Sequence, residues 1–234
     1  MQDNLKLKPI AHIENDFPTK FGIPRQSGLI PEQQSVIVFE EEYRDANALR
    51  GIEGYSHLWL IWGFSEVKME KWSPMVKPPR LGGNTRMGVF ATRSPYRPNP
   101  IGLSSVKLIG VTAVSGKGKV LVVAGADLMN GTPIYDIKPY LSFTDSHPDA
   151  RDGFAAEHIV DKIRVEFPEE LLAVIPQEKQ QALIAALELD PRPSYQNDDQ
   201  PYGVPYAGWD VRFRVKDDIL TVYEVVPMGT VNVK

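Results

Sequence analysis

Residues 103–127 read LSSVKLIGVTAVSGKGKVLVVAGAD. Two apolar runs, 103–109 and 120–127, lie on either side of a Gly-punctuated stretch with no amphipathic helix in it. That pattern predicts strands rather than a strand–helix–strand crossover. Working outward, similar short runs occur at 7–13, 35–39, 57–64, 87–91 and 133–140, each bounded by Gly, Pro or Asn. No helical segment of about 10–15 residues alternates with them, which argues against a parallel βαβ sheet. An antiparallel barrel or sandwich fits. One short helix is expected over 45–50, ended by Gly51.

Beyond residue 150 the texture changes. Residues 163–167 read as a strand and 168–189 as helix, with Pro168 in the first turn and Glu169 and Glu170 suited to the N-terminal dipole. Pro176 splits that helix, and Asp190-Pro191-Arg192-Pro193 stops it. Residues 194–208 read as a polar loop. Residues 209–215 and 219–226 read as a hairpin turning through Lys216-Asp217-Asp218. The expected organisation is a β-rich unit over 1–149 and a small α+β appendage over 150–234.

The chain has 234 residues, 42% apolar and 24% charged, enough for one large domain or one domain and an appendage,. No run approaches the roughly 18 apolar residues of a membrane span. The first residues have no basic segment followed by an apolar one. A soluble, cytoplasmic protein is expected. The absence of cysteine excludes disulfides, thiolate zinc, iron–sulfur clusters and a thiol nucleophile,. His12, His57, His147 and His158 form no HExxH pair, and no metal site is expected,. The net charge is −4, yet residues 71–126 hold nine basic side chains and no acidic one. Such segregation builds a local positive field on an acidic protein.

Four constellations carry chemistry. The densest is the 80–103 block, RLGGNTRMGVFATRSPYRPNPIGL. Its Gly82–Gly83 pair and Pro95, Pro98 and Pro100 fix backbone shape and pre-organise side chains. Arg93 and Arg97 offer guanidinium forks suited to carboxylate or phosphate, or to an internal ion pair. The second is the 127–140 block, DLMNGTPIYDIKPY, with an Asn130-Gly131 turn and carboxylates at Asp127 and Asp136,. The third is the 21–29 loop FGIPRQSGL. The fourth is the 55–64 run YSHLWLIWGF, whose aromatic alternation reads as core packing and whose His57 reads as structural or as a base,. There is no GxGxxG after a strand, no GxxxxGK[ST] and no GxSxG,. A Rossmann methyltransferase or dehydrogenase is therefore disfavoured. The residues alone describe a β-rich binding scaffold with an Arg/Pro/Gly loop.

Read together, FGIPRQSGL, the SHLW strand, PPRLGGNTRMGVFATRSPYRPNPIGLS, DLMNGTPIYDIKPYL and the later DPRPSY resemble the TsaA-like family, also called TrmO. These are S-adenosylmethionine-dependent methyltransferases acting on tRNA. The resemblance implies a mainly β fold: a small antiparallel, non-Rossmann β-barrel that binds the methyl donor, with a C-terminal α+β appendage. It also implies a homodimer with the donor near the subunit interface, no metal, and methylation of N6 of threonylcarbamoyladenosine beside the anticodon of threonine tRNA.

Carried over by motif, Pro24, Arg25 and Gln26 line the donor site from one side. Arg93 contacts the donor, and Leu103 supplies a contact just past NPIG. Asp127, Leu128, Met129 and Asn130 wrap it, with Asp127 as the polar anchor. The family usually has a His and a polar residue after the SHLW strand; Ser65 and Glu66 stand there in this chain. The resemblance names no proton acceptor, and chemistry nominates Asp136, Tyr140 and His57. Arg86, Arg97, Lys138 and Arg192 are expected to contact tRNA at the anticodon loop, with Tyr195 and Tyr202 as further contacts. Two other readings remain open here: a non-catalytic module binding the donor or a nucleoside, and a methyltransferase for a small metabolite.

Overall fold

The computed structural model describes residues 6–68, 71–78, 81, 85–158, 162–192 and 200–229. Arg80, the Gly82–Gly83 pair and Tyr195, singled out above, lie outside those residues. Strands β6 (Ile101–Val114) and β7 (Gly118–Ala124) form the hairpin at the centre of the sequence reading, with β6 running past 103–109 at both ends. Gly116 and Gly118 turn the chain at φ of 76° and 73°, a region open to glycine at no steric cost,. Burial alternates along β6: Gly102, Ser104, Val106 and Leu108 face inward, and Ile101, Leu103 and Lys107 face out. A bulge between Leu108 and Gly110 interrupts the β6–β7 ladder, the device that bends a strand,.

Strands β1 (Ala11–Glu14), β2 (Gln34–Phe39), β3 (His57–Gly63) and β8 (Pro133–Pro139) join this hairpin. All pairings are antiparallel, in the order β1-β2-β7-β6-β3-β8, and β8 returns to β1. The ring is uneven: β3 and β6 share seven residue pairs, β1 and β8 only two. Ile13, Ile37, Leu58, Leu60, Leu121 and Ile134 fill its interior with no exposed surface. Each such side chain contributes about 1.5–3 kcal/mol by burial. The mainly β, non-Rossmann expectation therefore holds.

Two local expectations change. The strand expected over 87–91 is only β5 (Met87–Gly88), paired with β4 (Met75–Val76); the chain then tightens into a 3₁₀ turn at Val89–Ala91. The helix expected over 45–50 is a single 3₁₀ turn, Ala46–Leu49, capped by the Asp45 carboxylate accepting from Asn47 N–H at 2.8 Å. A short helix α1 (Ser142–Asp145) follows β8.

The C-terminal residues build a second sheet. Strand β9 (Arg164–Glu166) runs parallel to β12 (Ile219–Pro227), which pairs antiparallel with β11 (Trp209–Lys216). Helices α2 (Glu169–Leu172) and α3 (Gln177–Glu188) are separated at Pro176, as the sequence implies. The loop expected over 194–208 is a correction: Tyr202–Tyr206 is strand β10 at the sheet edge, where Pro205 needs to supply no ladder hydrogen bond on its outer side,. The second core gathers Leu183, Leu187, Tyr206, Val211, Phe213 and Leu220, and it also takes Phe17 and Ile30 from the chain between β1 and β2. Phe17 meets Tyr206 edge-on at 5.2 Å, and the Lys179 ammonium pairs with Asp16. The β1–β2 connection is thus held by the C-terminal sheet and helix.

Candidate active site

Inside the ring at one end, the Trp62 indole lies over Gly102. A Cβ on that glycine would sit 2.2 Å from the ring, so only glycine fits there. The indole N–H donates to Ser104 Oγ at 3.0 Å, and the Ser104 hydroxyl donates to Asp127 Oδ1 at 2.6 Å. Ser104 is buried, and Asp127 follows the end of β7. Burial pushes the Asp127 carboxyl above the ordinary aspartate range. The Ser104 hydroxyl, backbone N–H groups at Asp127 and Ser27, and the Arg93 charge work against that rise,.

Two glycines bring the 21–29 loop to this carboxylate. Gly28 N–H donates to the Gly125 carbonyl at 2.8 Å, and a Cβ on Gly125 would lie 3.2 Å from Gly28 Cα. That close crossing turns Ser27 toward Asp127. The neighbouring Gln26 accepts a hydrogen bond from the Arg93 guanidinium through Oε1 and donates through Nε2 to the Arg25 carbonyl at 2.6 Å. Gln26, Arg93, Asp127 and Ser104, taken from four separate stretches of sequence, form one polar cluster.

The other expected donor contacts divide. Pro24 is buried beneath the loop. Arg25 points away from Asp127: its guanidinium donates to the carbonyls of Asp190 at 2.8 Å and Arg192 at 3.1 Å. Leu128 is fully buried in the ring core, and its carbonyl accepts from Asn15 Nδ2 at 2.7 Å. Asn130 Oδ1 accepts from the Asn15 backbone at 3.0 Å, and Asn130 N–H donates to the Phe17 carbonyl. Leu128 and Asn130 therefore shape the Asp127 turn, while Met129 is half-buried at its surface. Leu103 is 58% exposed on the outer face. Ser65 and Glu66 are exposed in a turn tied to the NPIG block by Phe64 N–H donating to the Pro100 carbonyl at 3.0 Å.

The three candidate proton acceptors share the outer face of β3 and β8. Ile61 pairs with Leu103 on one side and Asp136 on the other, so Asp136 lies two strand spacings, about 10 Å, from Leu103,. Asp136 pairs with Lys138 at 3.1 Å and accepts from Ile137 N–H at 2.9 Å. His57 and Tyr140 lie farther along, with ring centroids 6.1 Å apart, and His57 Nδ1 is 2.9 Å from Ser56 Oγ.

Of the expected tRNA contacts, Arg86 is exposed beside β5, and Arg97 is half-buried, donating to the Thr92 carbonyl at 3.4 Å. Arg192 is turned into the protein. It is 6% exposed and holds Asp190 with Nε and Nη2 at 2.9 and 2.8 Å. Ser104 was not singled out from the sequence, and Trp62 and Ser27 were singled out only as parts of the 55–64 and 21–29 runs, because their partners lie far away in sequence; a lone Ser on an otherwise apolar inward strand face was the available signal for Ser104. Among the described residues no group of His, Asp and Glu can hold a metal ion, and no helix is long and apolar enough to cross a membrane.

Residues 12–146 match the tRNA-methyltransferase O N-terminal domain family, and residues 161–228 match the TrmO C-terminal domain family. The tRNA (adenine(37)-N6)-methyltransferase of Escherichia coli K12 is 40% identical over 235 residues, covering 96% of this chain and 99% of that protein. The enzyme of the same name from Eikenella corrodens is 42% identical over 174 residues, covering 74% of this chain and 97% of its own. A crystal structure of TrmO from Pseudomonas aeruginosa superposes with a TM-score of 0.77 at 30% identity, covering 96% of this chain and all of that one. With both of its domain families matched and a relative covered almost end to end, the chain belongs to the tRNA-methyltransferase O (TrmO) family.

Proposed function

We propose that this chain is an S-adenosylmethionine-dependent methyltransferase acting on N6 of adenine 37 in tRNA, with threonylcarbamoyladenosine as the modified base. The observation that carries it is the half-buried Asp127 carboxylate, held by Ser104 and flanked by Gln26 and Arg93. The donor's ribose hydroxyls and ammonium group need an acceptor held in place, and Asp127 is one; Gln26 adds an amide and Leu103 an apolar surface. The residues present therefore fit the donor without a Rossmann glycine loop. When bound, S-adenosylmethionine supplies an electrophilic methyl group.

The chain's own residues supply the rest. Asp127, Gln26 and Met129 orient the donor, and such positioning is worth up to ~7–11 kcal/mol of a barrier. Asp136 would take the N6 proton onto its carboxylate as the N6–CH3 bond forms and the S–CH3 bond breaks, its electron pair staying on sulfur. Arg97 and Lys138 meet the carbamoylthreonine carboxylate, and Arg86 meets phosphate. The exposed pair Ile101 and Leu103 at the start of β6 is an apolar surface that suits a second copy, which supports a homodimer with the donor near its interface,. We read the uneven ring as a small barrel and the chain as two units, 1–149 and 150–234, the second shaping the donor loop through Arg25. A cytoplasmic location accords with a tRNA substrate.

The test incubates the purified protein with methyl-labelled S-adenosylmethionine and tRNA from cells lacking the gene, followed by nucleoside mass spectrometry. The expected product is threonylcarbamoyladenosine heavier by one methyl group. Donor binding without a labelled nucleoside overturns the catalytic reading in favour of a binding module.

A further inference from the structure

Trp72 and Phe90 are 50% and 74% exposed, and their rings stack with centroids 6.3 Å apart and planes 29° from parallel. Neither belongs to the two hydrophobic cores. The fold nevertheless brings them together. The β4–β5 ribbon pairs Met75 with Gly88, and Val89 N–H donates to the Pro74 carbonyl at 2.9 Å, placing both rings at one end of the ribbon. Lys77 and Arg86 lie just past the last pair, Val76–Met87, at the other end, and Lys71 adjoins Trp72. All three cations are exposed, and among the described residues none is ion-paired to a carboxylate.

Two exposed stacked rings, with three exposed cations that pair with no carboxylate among the described residues, in the acid-free stretch 71–126, match the chemistry of a single-stranded nucleic-acid site. Any base can stack on an aromatic face, and cations take the adjoining phosphates,. A protein partner would favour the rings but not the exposed cations at both ends of the ribbon, since interface cores are depleted in charge,. The rings are also coupled to the polar cluster. Thr92 N–H and Oγ1 both donate to the Val89 carbonyl, at 3.1 and 2.9 Å, and Arg93 follows directly to reach Gln26.

We propose that Trp72 and Phe90 form a stacking platform for an unpaired base of the RNA substrate, with Lys71, Lys77 and Arg86 on its neighbouring phosphates. The inference rests on the tRNA reading above and names the surface that reading needs. A base lifted out of the anticodon loop for methylation loses its stacking neighbours, and a platform beside the site replaces one of them.

The test measures binding of a synthetic anticodon stem-loop RNA to the full chain over a range of salt concentrations, together with methyl transfer to tRNA. Trp72→Ala with Phe90→Ala should weaken RNA binding roughly tenfold to a hundredfold at every salt concentration, with the salt slope unchanged. Lys77→Ala should lower that slope by about one. Trp72→Phe should restore most of the loss, and S-adenosylmethionine affinity and the melting temperature should not move. Unchanged RNA binding in the double variant overturns the platform, as does a change confined to oligomeric state. If the wild-type chain binds RNA through these rings but methylates no tRNA, the platform stands and the catalytic reading falls. If it binds no RNA, both fall.

Discussion

Ser104 spends its one hydroxyl proton on Asp127, at 2.6 Å, while its oxygen accepts the Trp62 indole N–H at 3.0 Å. The serine is therefore polarised from both sides and cannot rotate away without stranding a buried partner. Gly102 completes the arrangement by leaving room for the indole. A dipeptide apart on β6, Gly102 and Ser104 thus fix the rotamer of a carboxylate that lies 23 residues beyond Ser104.

The first prediction concerns pH. Burial raises the Asp127 pKa, so the folded state favours the protonated form. Its contribution to stability is complete below the unfolded value near ~3.9 and is lost as pH rises through the raised folded value. Donor binding runs the other way, because the ionised carboxylate is the better acceptor. S-adenosylmethionine affinity should fall with acidification at a pH above the ordinary aspartate range. Asp127→Asn should remove that inflection, bind the donor at least tenfold more weakly, and melt no lower than wild type at neutral pH. Calorimetric titration across pH checks all three.

The second concerns the support beneath the carboxylate. Ser104→Ala strands the buried Trp62 N–H and removes a donor from Asp127, a cost of about 1–3 kcal/mol. Gly102→Ala drives a methyl group into the indole at 2.2 Å and should cost about as much, by overpacking,. Both should lower the denaturant midpoint and the donor affinity together, although neither residue needs to touch the donor.

Much of this was legible in the sequence. Short apolar runs bounded by Gly, Pro or Asn gave the ring strands, and Pro176 and the Lys216-Asp217-Asp218 turn divided the C-terminal residues as expected. Residues 194–208 misled because Pro205 and Gly203 read as loop, yet an edge strand tolerates both. The 87–91 run looked β-branched enough for a strand, but Pro74 and Val89 close a tight ribbon instead. The resemblance nominated the 21–29 loop, Arg93 and Asp127, whereas the contacts among them were out of reach. Nothing in the spacing says that Arg25 turns toward Asp190, 165 residues away, or that Arg192 is buried against Asp190.

The third prediction follows from that corner. Arg192 is 6% exposed and depends on Asp190, which sits in the left-handed region at φ 47°. Asp190→Asn keeps a residue suited to that backbone but removes the charge that Arg192 Nε and Nη2 meet at 2.9 and 2.8 Å, and it should lower the melting temperature. Removing one partner of a buried pair costs up to ~3–5 kcal/mol. Arg25→Ala removes the link from the 21–29 loop to the carbonyls of Asp190 and Arg192 and, on the proposed reading, should raise the KM for S-adenosylmethionine several-fold with a smaller loss of stability. Equal melting temperatures for Asp190→Asn and wild type would refute the clamp.

The fourth separates the candidate proton acceptors. Asp136 shares a cross-strand row with Leu103 through Ile61, while His57 and Tyr140 lie farther along the same face. If Asp136 accepts the N6 proton, Asp136→Asn should lower kcat by roughly 10²–10⁴-fold with donor affinity unchanged. Lys138→Ala should change stability little, since its pair with Asp136 is exposed on both sides,. His57→Ala and Tyr140→Phe should cost far less in kcat than Asp136→Asn. Single-turnover methyl transfer, with donor binding measured on the same preparations, distinguishes them: a larger loss at His57 would move the acceptor along β3, away from the Leu103 row.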